Sequence, residues 1–343
     1  MVTIKDVAKA AGVAPSTVSH VLNKSAPVSP QTREKVLAAV KALGYQPSAV
    51  AQSLKLGFSK TIALIVPTIS TPMYSEMIEG IEEEATNHGY NLILCRSGRD
   101  PIRELMYLKI LRTNRVDGII LAAPQVNDPC LKELEKSSLP AVIIGGYPPN
   151  NGIPSIKVDN KGGTWASIEY LLSLGHRKIA FINGYSTVPD SKERLEAIKE
   201  CLAHYHIPWR EDYYREGDFT RHSGAALAQE LMASEEPPTA IFIASDTMAI
   251  GAMQAIKNMG WSIPEDVSLI GFDDIKFCQY LDPPLTTVRQ PAYEMGKAAM
   301  KALLALFSGE RSEALSRIFE AKLIIRGSCA KPRSKDLGEG VGK

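Results

Sequence analysis

The stretch that decides the fold of the N-terminal region is TIKDVAKAAGVAPSTVSHVLN, residues 3–23. Thr3 is a residue type that caps helices, and Asp6 falls in the first turn, where a carboxylate favours the positive end of the helix dipole. Gly12 predicts the end of this helix, and Pro15 suits the first position of another. The stretch therefore predicts two short helices joined by a tight turn.

The second of these helices has an apolar face and a polar face. Val18, Val21 and Leu22 recur at spacings of three and four and are expected to face the core. The polar face consists of side chains that form hydrogen bonds, namely Ser16, Thr17, Ser19 and His20. A polar helix in this position is typical of a helix that enters the DNA major groove.

A third helix is expected after Ser29 and Pro30, which are a capping residue and a first-turn proline. Gly44 predicts its end. Its core-facing side chains are expected to be Val36, Leu37, Val40 and Leu43.

The charge of the chain is unevenly distributed. Residues 1–60 contain eight lysines and arginines and two acidic residues, whereas the whole chain has a net charge of only +1. A basic head on a mildly acidic body indicates a module that binds a polyanion, joined to a larger part that does not.

Several motifs together resemble the LacI/GalR (lactose/galactose repressor) family, over nearly the whole chain. In chain order within residues 3–47, they are TIKDVA, AGV, TVSHVLN, the pair VS, the run TREKV, and GYQP. The resemblance implies a sequence-specific transcription regulator that acts as a repressor. Such a protein binds operator double-stranded DNA as a homodimer, responds to a small-molecule effector, and uses no cofactor.

The resemblance also implies which side chains contact DNA. In the helix-turn-helix these are Thr3, Pro15, Ser16, Thr17, Ser19, His20 and Asn23. Two positions depart from the family pattern. Ala14 stands where serine is usual, so a capping and phosphate-contacting hydroxyl is missing. His20 stands where many relatives have arginine, so the bidentate contact of arginine with guanine does not carry over.

Residues 47–60 correspond to the hinge of the family, which folds on operator DNA and enters the minor groove. Ala51, Leu54 and Lys55 are the implied DNA contacts, with Leu54 as the wedge that opens the central base step. From composition alone, a flexible linker with an incidental leucine is an alternative, because so short a helix is not stable by itself in water.

The body, residues 61–330, alternates short apolar runs with amphipathic segments, which predicts doubly wound parallel α/β sheets. By resemblance it forms a two-lobed sensor domain like periplasmic sugar-binding proteins, and the helix-turn-helix domain spans residues 1–46. The N-lobe is expected at about 61–159 and 290–318, and the C-lobe at about 160–288 and 319–330. The tail, residues 331–343, lacks a leucine heptad, which favours a dimer over a tetramer.

Candidate effector contacts lie near the carboxyl ends of strands, where such sheets bind ligands. Together with this position, the resemblance to the family implies that the contacts are Tyr74, Arg194, Phe219, Ser245, Asp273 and Gln290. Tyr74 could equally be a core tyrosine, and Arg194 a surface ion-pair partner. Asp246 is expected to cap the helix that begins at Thr247, and Asp274 to be structural.

An arginine and an aspartate in one cleft favour a polyhydroxylated ligand, because they satisfy opposite hydrogen-bonding needs of hydroxyl groups. The expected effector is therefore a sugar or sugar derivative, with a nucleobase, a nucleoside or a phosphorylated sugar as alternatives. Purine-binding relatives have arginine and threonine where Val188 and Asp190 stand, which counts against a nucleobase.

Other function classes find little support in the sequence. The chain has no nucleotide-binding glycine motif, zinc-protease motif or nucleophile elbow, so no catalytic residue or metal ligand is expected. A nonspecific architectural DNA binder would not need a two-lobed cleft. The five cysteines are scattered and are expected to be free thiols. No signal peptide or long apolar stretch is present, which predicts a cytoplasmic protein without a membrane partner.

Overall fold

The computed structural model describes residues 2–23, 25–45, 58–113, 116–125, 128–146, 152–310 and 312–333. The chain divides into two units, residues 1–60 and 61–343. Among the helices of these ranges, none has the length and apolar character needed to cross a membrane.

The first unit contains the helices α1 (Ile4–Ala11), α2 (Pro15–Asn23) and α3 (Pro30–Leu43). Each begins and ends where the local chemistry predicts. The Asp6 carboxylate accepts hydrogen bonds from the Thr3 backbone N–H at 2.9 Å and from Thr3 Oγ1 at 2.7 Å. These bonds lower the pKa of Asp6. Gly12 ends α1 with a φ of 65°, a left-handed conformation that glycine adopts without strain.

The three helices of the first unit bury a small core of valines and alanines: Val7, Ala8, Val18, Val21, Val36 and Ala39. The prediction that Leu37 and Leu43 pack into this core is wrong, because these side chains are 48% and 37% exposed. The buried side of α3 is instead the narrow stripe through Val36, Ala39 and Val40, since two short neighbouring helices cover only one stripe of it.

The second unit contains two six-stranded sheets. The N-lobe sheet has the order β11-β5-β4-β3-β1-β2, and the C-lobe sheet has the order β12-β10-β9-β8-β6-β7. The N-lobe strands are β1 (Thr61–Val66), β2 (Asn91–Arg96), β3 (Gly118–Ala122), β4 (Ala141–Ile144), β5 (Ser155–Val158) and β11 (Arg317–Phe319). The C-lobe strands are β6 (Ile179–Asn183), β7 (Tyr214–Glu216), β8 (Ala240–Ile243), β9 (Ser268–Asp273), β10 (Thr286–Arg289) and β12 (Lys322–Ile324).

All neighbouring strands run parallel except β12, which pairs antiparallel with β10 at the edge of the C-lobe sheet. The register places Ile62 of β1 beside Leu92 and Gly118 of the flanking strands. The central strands are fully buried, as expected for parallel strands covered on both faces by helices. The predicted fold class, doubly wound α/β lobes after a helical N-terminal region, is confirmed.

Eight helices of the second unit cover these sheets. They are α4 (Pro72–Asn87), α5 (Pro101–Thr113), α6 (Pro129–Glu135), α7 (Asn160–Ser173), α8 (Pro189–His204), α9 (Arg221–Met232), α10 (Asp246–Asn258) and α11 (Ala292–Phe307), within the ranges given above. Helix α11 packs against α4 and the N-lobe strands, although it follows the C-lobe strand β10 in the chain. The chain therefore passes between the lobes after β5, after β10 and between β11 and β12.

The apolar runs predict strands at 62–66, 92–95, 118–121, 142–144, 178–182, 240–244 and 267–270, and the amphipathic segments predict helices at 74–88, 105–113, 164–174, 194–205, 223–232, 247–259 and 293–307. Five observed strands and one helix lie outside these ranges: β5, β7, β10, β11, β12 and α6. The strands contain only three or four residues each. So short a run shows no periodicity of its own, and it becomes a strand because a neighbouring edge offers backbone hydrogen bonds.

The helices of the C-lobe approach each other closely at two glycines. A side chain on Gly224 of α9 would overlap the backbone of Met248, and one on Gly251 of α10 would overlap the backbone of Arg221. The two glycines therefore bring α9 and α10 together behind the loops that line the cavity described below.

Candidate functional site

The polar face of α2 is accessible in the first unit. Pro15, Ser16 and Asn23 are exposed, whereas Thr17, Ser19 and His20 are half-buried. His20 Nδ1 shares a hydrogen bond with Ser25 Oγ at 3.0 Å. Asn23 Nδ2 donates to Ser19 Oγ at 3.2 Å. Pro15 and Ser16 thus form the open start of the helix, while internal hydrogen bonds order its far end.

Ala14 precedes α2 and accepts the backbone N–H groups of Thr17 at 2.9 Å and of Val18 at 3.3 Å through its carbonyl oxygen. The helix therefore starts without a capping hydroxyl at this position. Thr3, the remaining predicted contact of this unit, is exposed at the start of α1. The predicted hinge contacts Ala51, Leu54 and Lys55 lie outside the described residues.

In the second unit, side chains from both lobes enclose a cavity of about 720 Å³. All six predicted effector residues line it, and they come from six separate segments of the chain: Tyr74, Arg194, Phe219, Ser245, Asp273 and Gln290. The cavity lies at the carboxyl ends of the strands, as expected for parallel α/β sheets.

Arg194 is the most firmly held of these side chains. It is 4% exposed and lies on α8, with its Cζ 3.7 Å from the centre of the Phe272 ring. Its Nε donates to Asn160 Oδ1 at 2.9 Å, and its Nη1 donates to the Ala244 carbonyl oxygen at 2.7 Å. Its Nη2 has no hydrogen bond to any described residue and is the donor left for a ligand. This burial contradicts the alternative of a surface ion-pair partner.

Asp273 ends β9 with a φ of 125°, which turns the chain at the floor of the cavity. It is 6% exposed, and Gln290 Nε2 donates to its Oδ1 at 2.6 Å. Burial raises the pKa of Asp273 well above its usual range, and the neighbouring carboxylate of Asp246 raises it further, whereas Arg194 opposes the shift. Asp273 and Gln290 thus form one hydrogen-bonded pair that presents acceptors and donors to the cavity.

The prediction that Asp246 caps α10 is wrong. Ser245 is the cap, and its Oγ accepts the Met248 backbone N–H at 3.2 Å. Asp246 is fully buried behind the cavity, where it accepts hydrogen bonds from Ile275 N at 2.9 Å and Thr287 Oγ1 at 2.6 Å. Its carboxylate holds β10 and the loop after β9 to α10, because these buried donors need an acceptor.

Asp274 has a structural environment, as expected. Its two carboxylate oxygens form ion pairs with Arg289 Nε at 2.6 Å and with Arg326 Nη2 at 2.7 Å. Both arginines lie outside the lining of the cavity, so this network stabilises the end of the C-lobe sheet.

Aromatic rings form one side of the cavity. Tyr74 is 5% exposed on the first turn of α4, and burial raises the pKa of its hydroxyl. The ring centres of Phe219 and Tyr185 are 6.1 Å apart on the C-lobe side. The Phe219 ring also fills the space beside Gly184, where any side chain would overlap it.

Arg99, Tyr185 and Asp190 are lining residues that the sequence did not single out as contacts. Asp190 Oδ1 accepts the Gly146 backbone N–H at 3.2 Å, which links the C-lobe helix α8 to the N-lobe loop after β4. Arg99 belongs to the N-lobe, and its Cζ lies 4.8 Å from the centre of the Phe219 ring. Nothing in the local sequence distinguishes Arg99 from a surface arginine, since its position depends on the meeting of the two lobes.

Two buried carboxyl groups lie outside the cavity lining, and one of them, Glu104, interacts electrostatically with Arg99. Glu104 is 2% exposed and Asp128 is 1% exposed. Burial raises the pKa of Glu104 to about 8, and the adjacent Asp128 carboxyl contributes to the shift. Glu104 is therefore mostly protonated at neutral pH, which avoids two buried negative charges in contact.

This burial predicts a pH-dependent stability. In the unfolded chain Glu104 ionises near 4.5, whereas in the folded chain it keeps its proton to about 8. Between these values the folded state binds more protons, so stability falls as pH rises. Glu104→Gln is expected to remove a penalty of a few kcal/mol at alkaline pH, since one pKa unit is worth about 1.4 kcal/mol.

The measurement is the difference in melting temperature between variant and parent over this pH window. The variant should gain most at the alkaline end. Glu133→Gln, at a half-buried residue of α6 paired with Arg112, is the control and should show a constant difference. A pH-independent difference for Glu104→Gln would contradict the buried protonated state.

Two family models match the chain. The model of bacterial regulatory proteins of the lacI family matches residues 3–48. The model of the periplasmic binding protein-like domain matches residues 168–329.

The chain is also similar to curated repressors over almost its full length. It is 36% identical to the HTH-type transcriptional repressor CytR of Escherichia coli (strain K12), over 95% of this chain and 96% of that protein. It is 36% identical to the HTH-type transcriptional repressor PurR of Vibrio parahaemolyticus, over 96% of this chain and 99% of that protein.

Solved structures of similar architecture cover both units. A lac repressor dimer bound to operator and the anti-inducer ONPF matches with a TM-score of 0.85 and 30% identity, over 96% of this chain and 99% of that one. The complex of the transcriptional regulator CelR with cellobiose matches with a TM-score of 0.73 and 32% identity, over 96% of this chain and 100% of that one.

Proposed function

The chain belongs to the lacI family of bacterial regulatory proteins, and from this premise we propose that it is a transcriptional repressor controlled by a small-molecule effector. One observation carries the proposal. A basic helix-turn-helix unit with an open polar helix start is joined to a unit whose cavity presents Arg194 Nη2 beside Asp273. The first part suits operator DNA, and the second suits a small polar molecule.

The proposed effector is a sugar or sugar derivative. Arg194 offers a donor, Asp273 offers acceptors and Gln290 offers both, which matches the mixed hydrogen bonding of neighbouring hydroxyl groups. The Tyr185 and Phe219 rings provide apolar surface for the C–H face of a sugar ring. Val188 and Asp190 occupy the positions that distinguish purine-binding relatives, which speaks against a nucleobase.

A homodimer is the proposed assembly. Helix α5 carries an exposed apolar stripe at spacings of four, formed by Ile102, Met106 and Ile110, which are 80%, 46% and 46% exposed. The edge strand β2 exposes Ile93 and Leu94 as well, at 40% and 41%. Large exposed apolar side chains repeated along one helix face are typical of a protein–protein interface. Two protomers would place two α2 helices in successive major grooves of a palindromic operator.

The effector would act by changing how the two lobes are arranged relative to each other. Its contacts come from both lobes, and the chain passes between them in three places, so a bound ligand favours one lobe arrangement over the other. Thermodynamic linkage then requires operator and effector to alter each other's affinity by the same factor. Either an inducer or a corepressor satisfies this relation. Titration shows whether the effector lowers or raises operator affinity.

The test combines operator selection with an effector screen. Purified full-length protein is first used to select fragments from a genomic library, and selected and random fragments are compared by titration. A specific regulator is expected to bind the selected DNA roughly a thousandfold or more tightly. Equal affinity for both kinds of DNA would refute the proposal.

The effector arm screens sugars, sugar phosphates and nucleosides by thermal shift, since a ligand of the folded state raises its melting temperature. Compounds that bind are added to the operator titration. A compound that binds the protein without changing its operator affinity would argue against effector control.

A further inference from the structure

Arg99 places a guanidinium group on the N-lobe side of the cavity, where it contacts aromatic rings and has no described carboxylate as an ion-pair partner. Its Nη1 is buried and forms no hydrogen bond with a described residue, although the half-buried side chain lies close enough to the Tyr74 hydroxyl to oppose the rise in the pKa of that group. Nor does its guanidinium form an ion pair with a described carboxylate. A buried charged donor without a partner is costly, because it has lost its hydration without replacement. A ligand acceptor would remove this cost.

The position of Arg99 is held by its backbone. Its φ is 61°, a left-handed conformation that is unfavourable for a non-glycine residue. Its carbonyl oxygen accepts a hydrogen bond from Gln125 Nε2 at 2.7 Å, and its N–H donates to Ser97 Oγ at 3.3 Å. The guanidinium lies over Phe219 at 4.8 Å and Tyr185 at 5.6 Å. The aromatic rings cover one face of the planar guanidinium. Its N–H donors lie in the plane of the group, where they can bind an acceptor.

Charge is divided between the two sides of the cavity. All three carboxylates among its described lining residues belong to the C-lobe: Asp190, Asp218 and Asp273. The N-lobe contributes Arg96 and Arg99 and no acidic side chain to that lining. The first turn of α4, from Pro72, also lines the N-lobe side and adds the positive end of a 16-residue helix.

The buried Glu104 does not offset this positive charge at neutral pH. Its raised pKa keeps it mostly protonated, so its negative charge is largely absent. Neither Glu104 nor its neighbour Asp128 lines the cavity, so the charged side chains of the N-lobe lining are both arginines, whereas the C-lobe side holds the mixed donors and acceptors that suit hydroxyl groups.

We propose that the effector carries an oxyanion, a phosphate monoester or a carboxylate, which Arg99 binds while the hydroxyl groups of the same molecule reach Arg194 and Asp273. The inference rests on the proposed function and narrows its effector class to anionic sugar derivatives. Arginine suits both oxyanions, because its planar fork donates two parallel hydrogen bonds to either group.

The first experiment needs no knowledge of the natural effector. Melting temperatures of the full-length protein and of Arg99→Gln are compared in phosphate, acetate and chloride at equal ionic strength. Phosphate or acetate is expected to stabilise the parent relative to chloride, and Arg99→Gln is expected to lose that gain. Comparison of the two proteins removes any anion effect on the basic N-terminal unit, which is identical in both.

The second experiment compares matched ligands: glucose, glucose 6-phosphate and gluconate, then ribose, ribose 5-phosphate and ribonate. The charged members are expected to bind the parent more tightly than the neutral ones. Arg99→Gln should bind the preferred charged member roughly 10- to 100-fold more weakly, the range for a lost charge-assisted hydrogen bond. A preference for the phosphate esters identifies the monoester, and a preference for the acids identifies the carboxylate.

Arg103→Gln is the matched control. Arg103 lies four residues after Arg99, with its Nε 4.0 Å from Asp100, and it does not line the cavity. Arg103→Gln should bind the charged ligands with an affinity within about twofold of the parent's, since a screened surface charge contributes little. An equal loss in both variants would reduce the role of Arg99 to general electrostatics and overturn the inference.

Failure of the inference is distinguishable from failure of the proposed function. If neither anion stabilises the protein in an Arg99-dependent way, the oxyanion site is refuted. The proposed function would still stand if neutral sugars changed operator affinity. If anions bind through Arg99 but no ligand changes operator affinity, the oxyanion site stands and effector control fails.

Discussion

Operator affinity is expected to fall by roughly a thousandfold or more between about 50 mM and about 200 mM salt, provided that six or more phosphates are neutralised. The reason is the concentration of charge in residues 1–60, which contain eight basic and two acidic residues per protomer. Each basic group that pairs with a phosphate releases condensed counterions from DNA, and added salt opposes that release.

The measurement is a titration of selected operator at a series of salt concentrations, read as the slope of log affinity against log salt. Melting temperature at the same salt concentrations is the control and should change far less. Binding that is insensitive to salt would contradict the assignment of the basic unit to DNA. A steep slope on operator and random fragments alike would leave the charge argument intact but refute sequence-specific reading.

Arg194→Ala is expected to abolish the effector response and to destabilise the second unit. The substitution removes the donor that faces the cavity and leaves Asn160 Oδ1 and the Ala244 carbonyl without their hydrogen bonds. It also removes the cation that opposes the charge of Asp273. The loss of stability should be about 2–4 kcal/mol, because buried acceptors lose their partner.

Arg326→Ala is the matched control for this prediction. Arg326 is also largely buried, and it donates to Asp274 at 2.7 Å and to the Leu285 carbonyl oxygen at 2.8 Å. It does not line the cavity, so its loss should destabilise the protein while the effector response remains.

Operator titrations of both variants, with and without effector, are made below their melting temperatures. An Arg194→Ala protein that responds at the same effector concentration as the parent would remove Arg194 from the site. Without effector, its operator affinity should equal that of the parent, since the first unit is unchanged.

Much of the secondary structure could be predicted because its determinants are local. Pro15 and Pro30 each begin a helix where they stand in the sequence, and Gly12 and Gly44 each follow the end of one. The long apolar runs at Thr61–Val66 and Gly118–Ala122 are fully buried strands, apart from the half-buried Thr61. Each of these features depends on conformational preferences or periodicity within a few residues.

Features that depend on neighbours distant in the chain were missed or misassigned. Strand β10 contains four residues and exists because β9 and β12 flank it. The sequence predicts Asp246 as a helix cap, yet its carboxylate accepts hydrogen bonds from Ile275 and Thr287, which follow it by 29 and 41 residues. The sequence predicts Leu37 as a core residue, but the neighbouring helices do not cover its side of α3, and its side chain is exposed.

The sequence by itself determined the helix-turn-helix, the alternation that builds two parallel sheets, and the six side chains predicted at the cavity. The first two follow from local propensities and periodicity, and the six side chains follow from their position near strand ends and from the resemblance to the family. Only the tertiary structure placed Arg99 of one lobe over Phe219 of the other and left its Nη1 buried without an acceptor. The physical reason is that burial and charge balance are properties of a three-dimensional environment, formed here by segments more than a hundred residues apart.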